Sequence, residues 1–228
     1  MTPGQISKYE KTMRAIEQHL GSKKHLIWDW NGTLLDDVEM VVEAIGRVLE
    51  THQRPRITRE NYADVFGFPV SDYYRKIGFD FDQTPFEDIS KLFVDHYMRE
   101  IWNCKLHPGV VGFLSDMKTQ GRSQSILSAA HEESLLQHLK HFEIDTYFDR
   151  IYALSDHNAA GKIERGRQLL EACGFSAQDS VLIGDTDHDL EVGQALGVDV
   201  ILLGDGHQSP QRLQAKHSCV VLDRHSVF

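Results

Sequence analysis

The pattern that most constrains the fold begins at His107, where strands and amphipathic helices start to alternate. Pro108 to Gln120 reads as a helix closed by Gly121, and Ser123 to Ser128 as the strand that follows. Residues 131–142 are helical by their spacing, and Arg150 to Leu154 is the next strand. Ile163 to Cys173, stopped by Gly174, leads to strand Ser180 to Gly184. Leu190 to Leu196, stopped by Gly197, leads to strand Val198 to Leu203. A short helix near 210–216 and a strand at Cys219 to Leu222 close the series. Strands that alternate with helices predict a parallel sheet covered on both faces. The expectation is an α/β protein on a Rossmann-like parallel sheet.

One further strand, Leu26-Ile27-Trp28, comes before this series and breaks at Asn31-Gly32, a pair suited to a tight turn. Asp29 falls where that strand runs out, which is where open α/β sheets place reactive groups. An acid there can be a helix cap, a structural hydrogen-bonder or a nucleophile.

Residues 37–104 interrupt the alternation with helices alone. Val38, Val41, Val42, Ile45, Val48 and Leu49 form one apolar face before the break at Arg54-Pro55. Thr58 opens a second helix, Ser71 is a candidate cap for a third, and Thr84-Pro85-Phe86-Glu87 has the form of a capping box. Four helices in this stretch predict an all-helical cap (37–104) inserted into a core made of 23–36 and 105–228. Asp36-Asp37 and Lys105-Leu106 read as short polar links on which such a cap would move. Residues 1–22 read as a separate N-terminal helix, with Thr2-Pro3 as the expected cap and Ile6, Tyr9, Met13, Ile16 and Leu20 as an apolar stripe. The stripe suits packing on the domain surface or a dimer contact, so monomer and homodimer both stay open.

Net charge is −10, from 34 acids against 24 Lys plus Arg, so nucleic acid and anionic membranes are not expected partners. No apolar run approaches the roughly 20 residues a membrane span needs. The charges at Lys8, Glu10, Lys11, Arg14 and Glu17 are not those of a signal peptide. Cys104, Cys173 and Cys219 show neither metal-ligand nor disulfide spacing, which fits a cytoplasmic location.

The second acidic stretch, Gly184-Asp185-Thr186-Asp187-His188-Asp189, follows strand Val181-Leu182-Ile183 and opens a helix. Carboxylates crowded in this way favour a neutralising cation, and hard oxygen donors suit Mg²⁺. Asp185 is the first candidate ligand and Asp189 the second; the competing role for Asp187 and Asp189 is to cap the helix. Ser128, followed by Ala129-Ala130, can be an ordinary cap or can present backbone N–H groups to an anion. Lys162 at a helix start runs against the dipole unless an anion is near.

With these four stretches in order, the chain resembles the haloacid dehalogenase superfamily with a helical cap after the first motif. The motifs are Asp29-x-x-Gly32-Thr33-Leu34, Ser128, Lys162 and Gly184-Asp185-x-x-x-Asp189. The cap position, Leu106-His107-Pro108-Gly109-Val110 and His188 are most similar to phosphoglycolate phosphatases. The resemblance implies that Asp29 attacks phosphorus and forms an aspartyl-phosphate on a small phosphorylated metabolite. It implies Mg²⁺ on Asp29, Asp185, Asp189 and the main-chain carbonyl of Asn31. It also implies phosphate contacts from Gly32, Ser128, Ala129 and Lys162.

One departure stands at Asn31, where family phosphatases carry the aspartate that serves as acid and then base. Asparagine cannot move a proton at neutral pH, at a cost on the order of 10²–10⁴ in rate. Asn31→Asp is therefore expected to raise turnover of alkyl phosphates, unless His131, His157 or His188 already supplies the function. Two other readings remain. One is a phosphonoacetaldehyde hydrolase-like enzyme, although the lysine that chemistry needs is not near Gly67 to Asp72, Lys76 lying beyond. The other is a slow or inactive phosphate-binding regulator. A metal-free dehalogenase is disfavoured by Asp185 and Asp189.

Overall fold

The computed structural model describes residues 16–154 and 161–221. Thr2-Pro3, Ile6, Tyr9, Met13, His157, Ala159-Ala160 and Leu222 lie outside them. Helix α1 is described over 16–20, and its Ile16 and Leu20 are buried in the main core, so this part of the stripe packs on its own chain.

The main sheet has six strands: β1 (His25–Trp28), β4 (Ser123–His131), β5 (Arg150–Leu154), β6 (Ser180–Gly184), β7 (Asp199–Leu203) and β8 (Val220–Val221). Their order is β5-β4-β1-β6-β7-β8, and each neighbouring pair is parallel. Side chains alternate across each strand, so both faces need cover. Leu26 and Trp28 join one core cluster with Phe113 and Leu114 of α6 (Val110–Thr119) and Leu135 and Leu139 of α7 (Glu132–His141). Ile27 joins a second cluster with Leu169 of α8 (Gly161–Cys173) and Leu190 and Val192 of α9 (Asp187–Leu196). Full burial of such a side chain contributes about 1.5–3 kcal/mol, which is why the central strand is apolar on both sides.

Between the first strand and His107 lie α2 (Val38–Thr51), α3 (Arg59–Val65), α4 (Val70–Lys76) and α5 (Phe86–Glu100). They share their own core, in which Val38, Ile45 and Leu49 meet Tyr62, Tyr74 and Ile89. Thr58 caps α3 as its sequence position suggests, its Oγ1 accepting from Asn61 N at 3.2 Å. The other two expected caps do not form. Helix α4 starts at Val70, before Ser71, and α5 starts at Phe86 with Pro85 as its cap residue and no side-chain cap bond. Proline offers no cap oxygen, and a start one residue later takes Thr84 out of the capping position.

The links into and out of the insertion are more ordered than their polar sequence suggests. Leu35–Asp36 (β2) and Lys105–Leu106 (β3) pair antiparallel, Leu35 against Leu106 and Asp36 against Lys105. Two residues per strand are too few for an alternation to show in the sequence. A final short helix, α10, covers Pro210–Gln214. Among the described residues no helix is long and apolar enough to cross a membrane.

Candidate active site

The site grows from the register of three strands. Trp28 is level with Ile183 of β6 on one side and Ile126 of β4 on the other. Asp29 continues the ladder by one bond, its N–H donating to Ile183 O at 2.9 Å. Asp29 and Asp185 therefore leave the carboxyl ends of adjacent strands, with Ser128 on the opposite neighbour. Beyond Asp29 the chain folds back over Trp30, whose carbonyl accepts from the N–H groups of Thr33, Leu34 and Leu35 at 3.3, 3.0 and 3.0 Å. Gly32 takes φ +70°, and a Cβ there would lie 2.4 Å from Asp185 Oδ2, so both conformation and space require glycine.

Asp29, Asp185 and Asp189 are buried and each offers a carboxylate oxygen within 4.8 Å of the others. Lys162, also buried, donates from Nζ to Asp29 Oδ1 at 2.5 Å and to Asp189 Oδ1 at 2.7 Å. These two carboxylates are the anions that let a lysine stand at the start of α8. Burial raises the pKa of Asp29 to about 6, the Lys162 charge holding it down and the Asp189 charge pushing it up. Burial likewise raises Asp185 to about 7, opposed by His207 and reinforced by Asp29 and Asp189. For Asp189 burial is outweighed by the charge and hydrogen bond of Lys162 and by bonds from Thr186, and its pKa falls. Lys162 moves upward, because Asp189 and Asp29 outweigh the opposing effect of its own burial.

Three carboxylates around one lysine leave a deficit of positive charge, and the donors are hard oxygens. The residues present fit a divalent cation such as Mg²⁺.

The acidic stretch divides its labour. Thr186 caps α9 with Asp189 in a reciprocal capping box. Asp189 Oδ2 accepts from Asp185 N at 3.2 Å, Thr186 N at 3.0 Å and Thr186 Oγ1 at 2.7 Å. The helix-cap role thus belongs to Asp189 alongside its place in the cluster. Asp187 is not a cap: it accepts from Gln208 at 2.8 Å, Arg212 at 2.8 Å and Lys216 at 2.6 Å. Burial opposes its ionisation, but the bonds from Lys216, Gln208 and Arg212 lower its pKa to about 2.

Ser128 is buried and its Oγ accepts from Ala130 N at 3.0 Å. β4 does not end there; it runs to His131, with a register shift between Leu127 and His131 that displaces Ser128 and Ala129 from regular pairing. Such an irregularity breaks the regular ladder on a strand that lies between β5 and β1. Gly32 is less available than expected, because its N–H donates to Asp37 Oδ1 at 2.9 Å. Asn31 Nδ2 donates to Asp37 Oδ2 at 2.7 Å and lies 2.7 Å from the Tyr97 hydroxyl, so its amide is held toward the inserted helices. Lys76 is exposed on α4. His188 is buried, with Nδ1 3.4 Å from Glu191 Oε2 and its ring 4.8 Å from that of Phe68.

Four residues join the site that the sequence reading did not assign. Thr33 Oγ1 donates to Asp185 Oδ1 at 2.9 Å. His107 Nε2 lies 3.1 Å from Gly32 O, and its N–H donates to Leu34 O at 3.0 Å, bracing the turn. Asp37, read as a link, is buried at the centre of the Asn31 and Gly32 contacts. His207 completes the set: its N–H donates to Asp185 Oδ2 at 2.6 Å, and Nε2–H to Asp37 Oδ1 at 3.2 Å. Burial alone would depress His207, but the charge and hydrogen bond of Asp37, with Asp185 and Asp29 behind, raise its pKa to about 9. The available signal was the Gly204-x-Gly206 pair directly after an apolar strand.

Known proteins resemble this chain in sequence and in fold. A family model described as haloacid dehalogenase-like hydrolase matches residues 26–203. Pyrophosphatase PpaX of Halalkalibacterium halodurans is 24% identical over 183 residues, which is 78% of this chain and 82% of that protein. Tyrosine-protein kinase PtkA of Mycobacterium tuberculosis is 24% identical over 187 residues, 82% of this chain but only 64% of that longer protein. A predicted phosphatase from Clostridium acetobutylicum has a similar structure, with TM-score 0.74 and 20% identity over 88% of this chain and 94% of its own. A predicted phosphoglycolate phosphatase from Haemophilus somnus gives TM-score 0.70 and 18% identity over 89% and 94%. At these identities the structural likeness is one of fold.

Proposed function

Because the chain belongs to the haloacid dehalogenase-like hydrolases, we propose that it is a Mg²⁺-dependent phosphohydrolase of small phosphorylated metabolites, with Asp29 as nucleophile. The observation that carries this reading is the buried Asp29, Asp185 and Asp189 cluster with Lys162 bonded into it.

In the first step an Asp29 carboxylate oxygen attacks phosphorus, the bond to the leaving oxygen breaks, and that oxygen leaves with the electron pair. In the second, water attacks phosphorus, the bond to Asp29 breaks, and the proton of water passes to solvent or a base. Asp29, Asp185, Asp189 and the Asn31 carbonyl would hold the Mg²⁺, which supplies charge neutralisation for the phosphate. Lys162 spends two bonds on Asp29 and Asp189 and has a third N–H for a phosphate oxygen. Ser128 and the backbone at Ala129, next to β1, suit the remaining oxygens. Gly32 contributes room rather than its amide. This is positioning with electrostatic stabilisation, which phosphoryl transfer requires. Residues 37–104 would act as the cap that closes this centre against water.

Asn31 shapes the substrate range. Its amide, held by Asp37 and Tyr97, cannot protonate a leaving group, which favours substrates whose leaving groups need little help. The test is phosphate release with and without Mg²⁺ from p-nitrophenyl phosphate, phosphoglycolate, pyrophosphate and a panel of alkyl phosphates. Release that needs Mg²⁺ and favours the better leaving groups supports the reading. Metal-independent release, or none from any member, counts against it.

A further inference from the structure

The loop after β7 touches both the acidic cluster and the inserted helices, and His207 stands at the crossing. On the core side its N–H donates to Asp185 Oδ2 at 2.6 Å. The backbone lies so close that a Cβ on Gly206 would sit 2.2 Å from the same oxygen. On the other side Nε2–H donates to Asp37 Oδ1 at 3.2 Å, directly before α2, and Nδ1 lies 2.9 Å from the Tyr62 hydroxyl on α3. His207 is 5% exposed and both ring nitrogens are engaged, so the ring has no freedom to turn without breaking these bonds.

The residues that follow continue the same connection. Ser209 N–H donates to Ala63 O at 3.1 Å and Gln208 Nε2 to Phe66 O at 3.1 Å. Arg212 also donates to Phe66 O and to Asp187 Oδ2, so it links the end of α3 to the start of α9.

We propose that His207 is a positioning residue that makes the seating of the inserted helices and the setting of the Asp185 carboxylate one event. If the helices lift, Asp37 and Tyr62 release the ring, and the loop that aims a donor at Asp185 Oδ2 loosens. When they seat, Asp185 is fixed for the cation. The inference rests on the metal role of Asp185 proposed above, and extends it to a residue outside the motifs.

The test uses the full chain, with Mn²⁺ alone as the metal probe and amide exchange of α3 as a readout independent of metal. His207→Ala should weaken Mn²⁺ binding by at least about tenfold, the range for loss of a group that orients a metal ligand. It should also speed exchange at Tyr62 and Phe66 by about tenfold. His207→Gln, which can still donate to Asp37, should recover part of both losses. Tyr62→Phe should loosen α3 with a smaller loss of Mn²⁺ affinity. Leu139→Ala, a core change remote from the loop, controls for general instability and should leave Mn²⁺ affinity alone.

Wild-type Mn²⁺ affinity in His207→Ala would overturn the proposal, as would weakened binding with α3 exchange unchanged. If His207→Ala does not fold, His207→Gln and Tyr62→Phe must show the paired losses. A wild-type protein that takes up no Mn²⁺ would count against the phosphohydrolase reading, and the tether would then stand or fall on α3 exchange in the variants.

Discussion

Replacing Asn31 by aspartate has two opposed consequences, and the structure sets their sizes. The Asn31 amide donates to Asp37 Oδ2 at 2.7 Å, and Asp37 is fully enclosed. Asn31→Asp removes that donor and faces one carboxylate with another. Two unit charges about 4 Å apart repel by about 4 kcal/mol at an effective dielectric of about 20. The His207 ring and the Tyr97 hydroxyl, which still donate to Asp37, relieve part of this, which leaves a loss of about 3 kcal/mol at neutral pH, or about 6–12 °C in Tm.

The new carboxylate is thus held in a repulsive contact, and the simple gain in turnover expected from sequence alone is curtailed. The exchange variant Asn31→Asp with Asp37→Asn restores one amide and one carboxylate at the same separation. It should recover at least about half the lost stability, with a coupling of about 2–3 kcal/mol in the double-mutant cycle. The remainder stays lost because His207 no longer faces a charged partner. Freed from repulsion, Asp at position 31 should raise alkyl phosphate turnover at least about tenfold over wild type, a share of the 10²–10⁴ available to an acid/base group. Urea unfolding of the four proteins at pH 7, with phosphate release from an alkyl phosphate, measures both. An Asn31→Asp protein as stable as wild type, or an additive cycle, would refute the reasoning.

Other outcomes follow from single contacts. Asp29→Ala should abolish turnover, and EDTA should do the same to wild type; full activity in either case excludes the proposed nucleophile or its metal. Gly206→Ala places a Cβ 2.2 Å from Asp185 Oδ2 and should weaken Mn²⁺ binding at least about tenfold, read by titration. His25 is buried between Ser180 and Ser125, and burial lowers its pKa from 6.5 to about 4 against a small opposing pull from Asp149. The unfolded chain takes up that proton below 6.5 while the folded chain does not until about 4, so this contribution is whole above 6.5 and is lost as pH falls toward 4. The loss is about 2–3 kcal/mol, and wild type should therefore lose more stability than His25→Gln between pH 7 and 4.5 in urea titrations.

The alternation of strands and helices after His107 was legible because period and length separate the two kinds of element over runs of this size. The helical face from Val38 to Leu49 was legible for the same reason, and five of its six positions are buried in one cluster with Val42 packed against it. Asp29, Asp185, Asp189 and Lys162 could be named because each falls at a strand end or helix start, where register brings them together. What the sequence concealed depends on contacts between distant segments. Asp37 looks like half of a polar link until His207, 170 positions away, is seen beside it. The pairing of Leu35–Asp36 with Lys105–Leu106 is too short to leave a period. Gly32 was read as a phosphate contact, and only the fold shows that its N–H donates to Asp37, five positions on.

The central claim is that phosphorus is carried on Asp29. The direct measurement is acid-quenched mass spectrometry of the protein mixed with p-nitrophenyl phosphate and Mg²⁺, with the modified peptide mapped after borohydride reduction. The account predicts one phosphoryl group on the peptide holding Asp29, formed only with Mg²⁺ and absent from Asp29→Asn. Longer-lived label in wild type than in the Asn31→Asp, Asp37→Asn exchange variant is predicted too, since water lacks its base at Asn31. Turnover with no label on that peptide, or label that persists in Asp29→Asn, would contradict it.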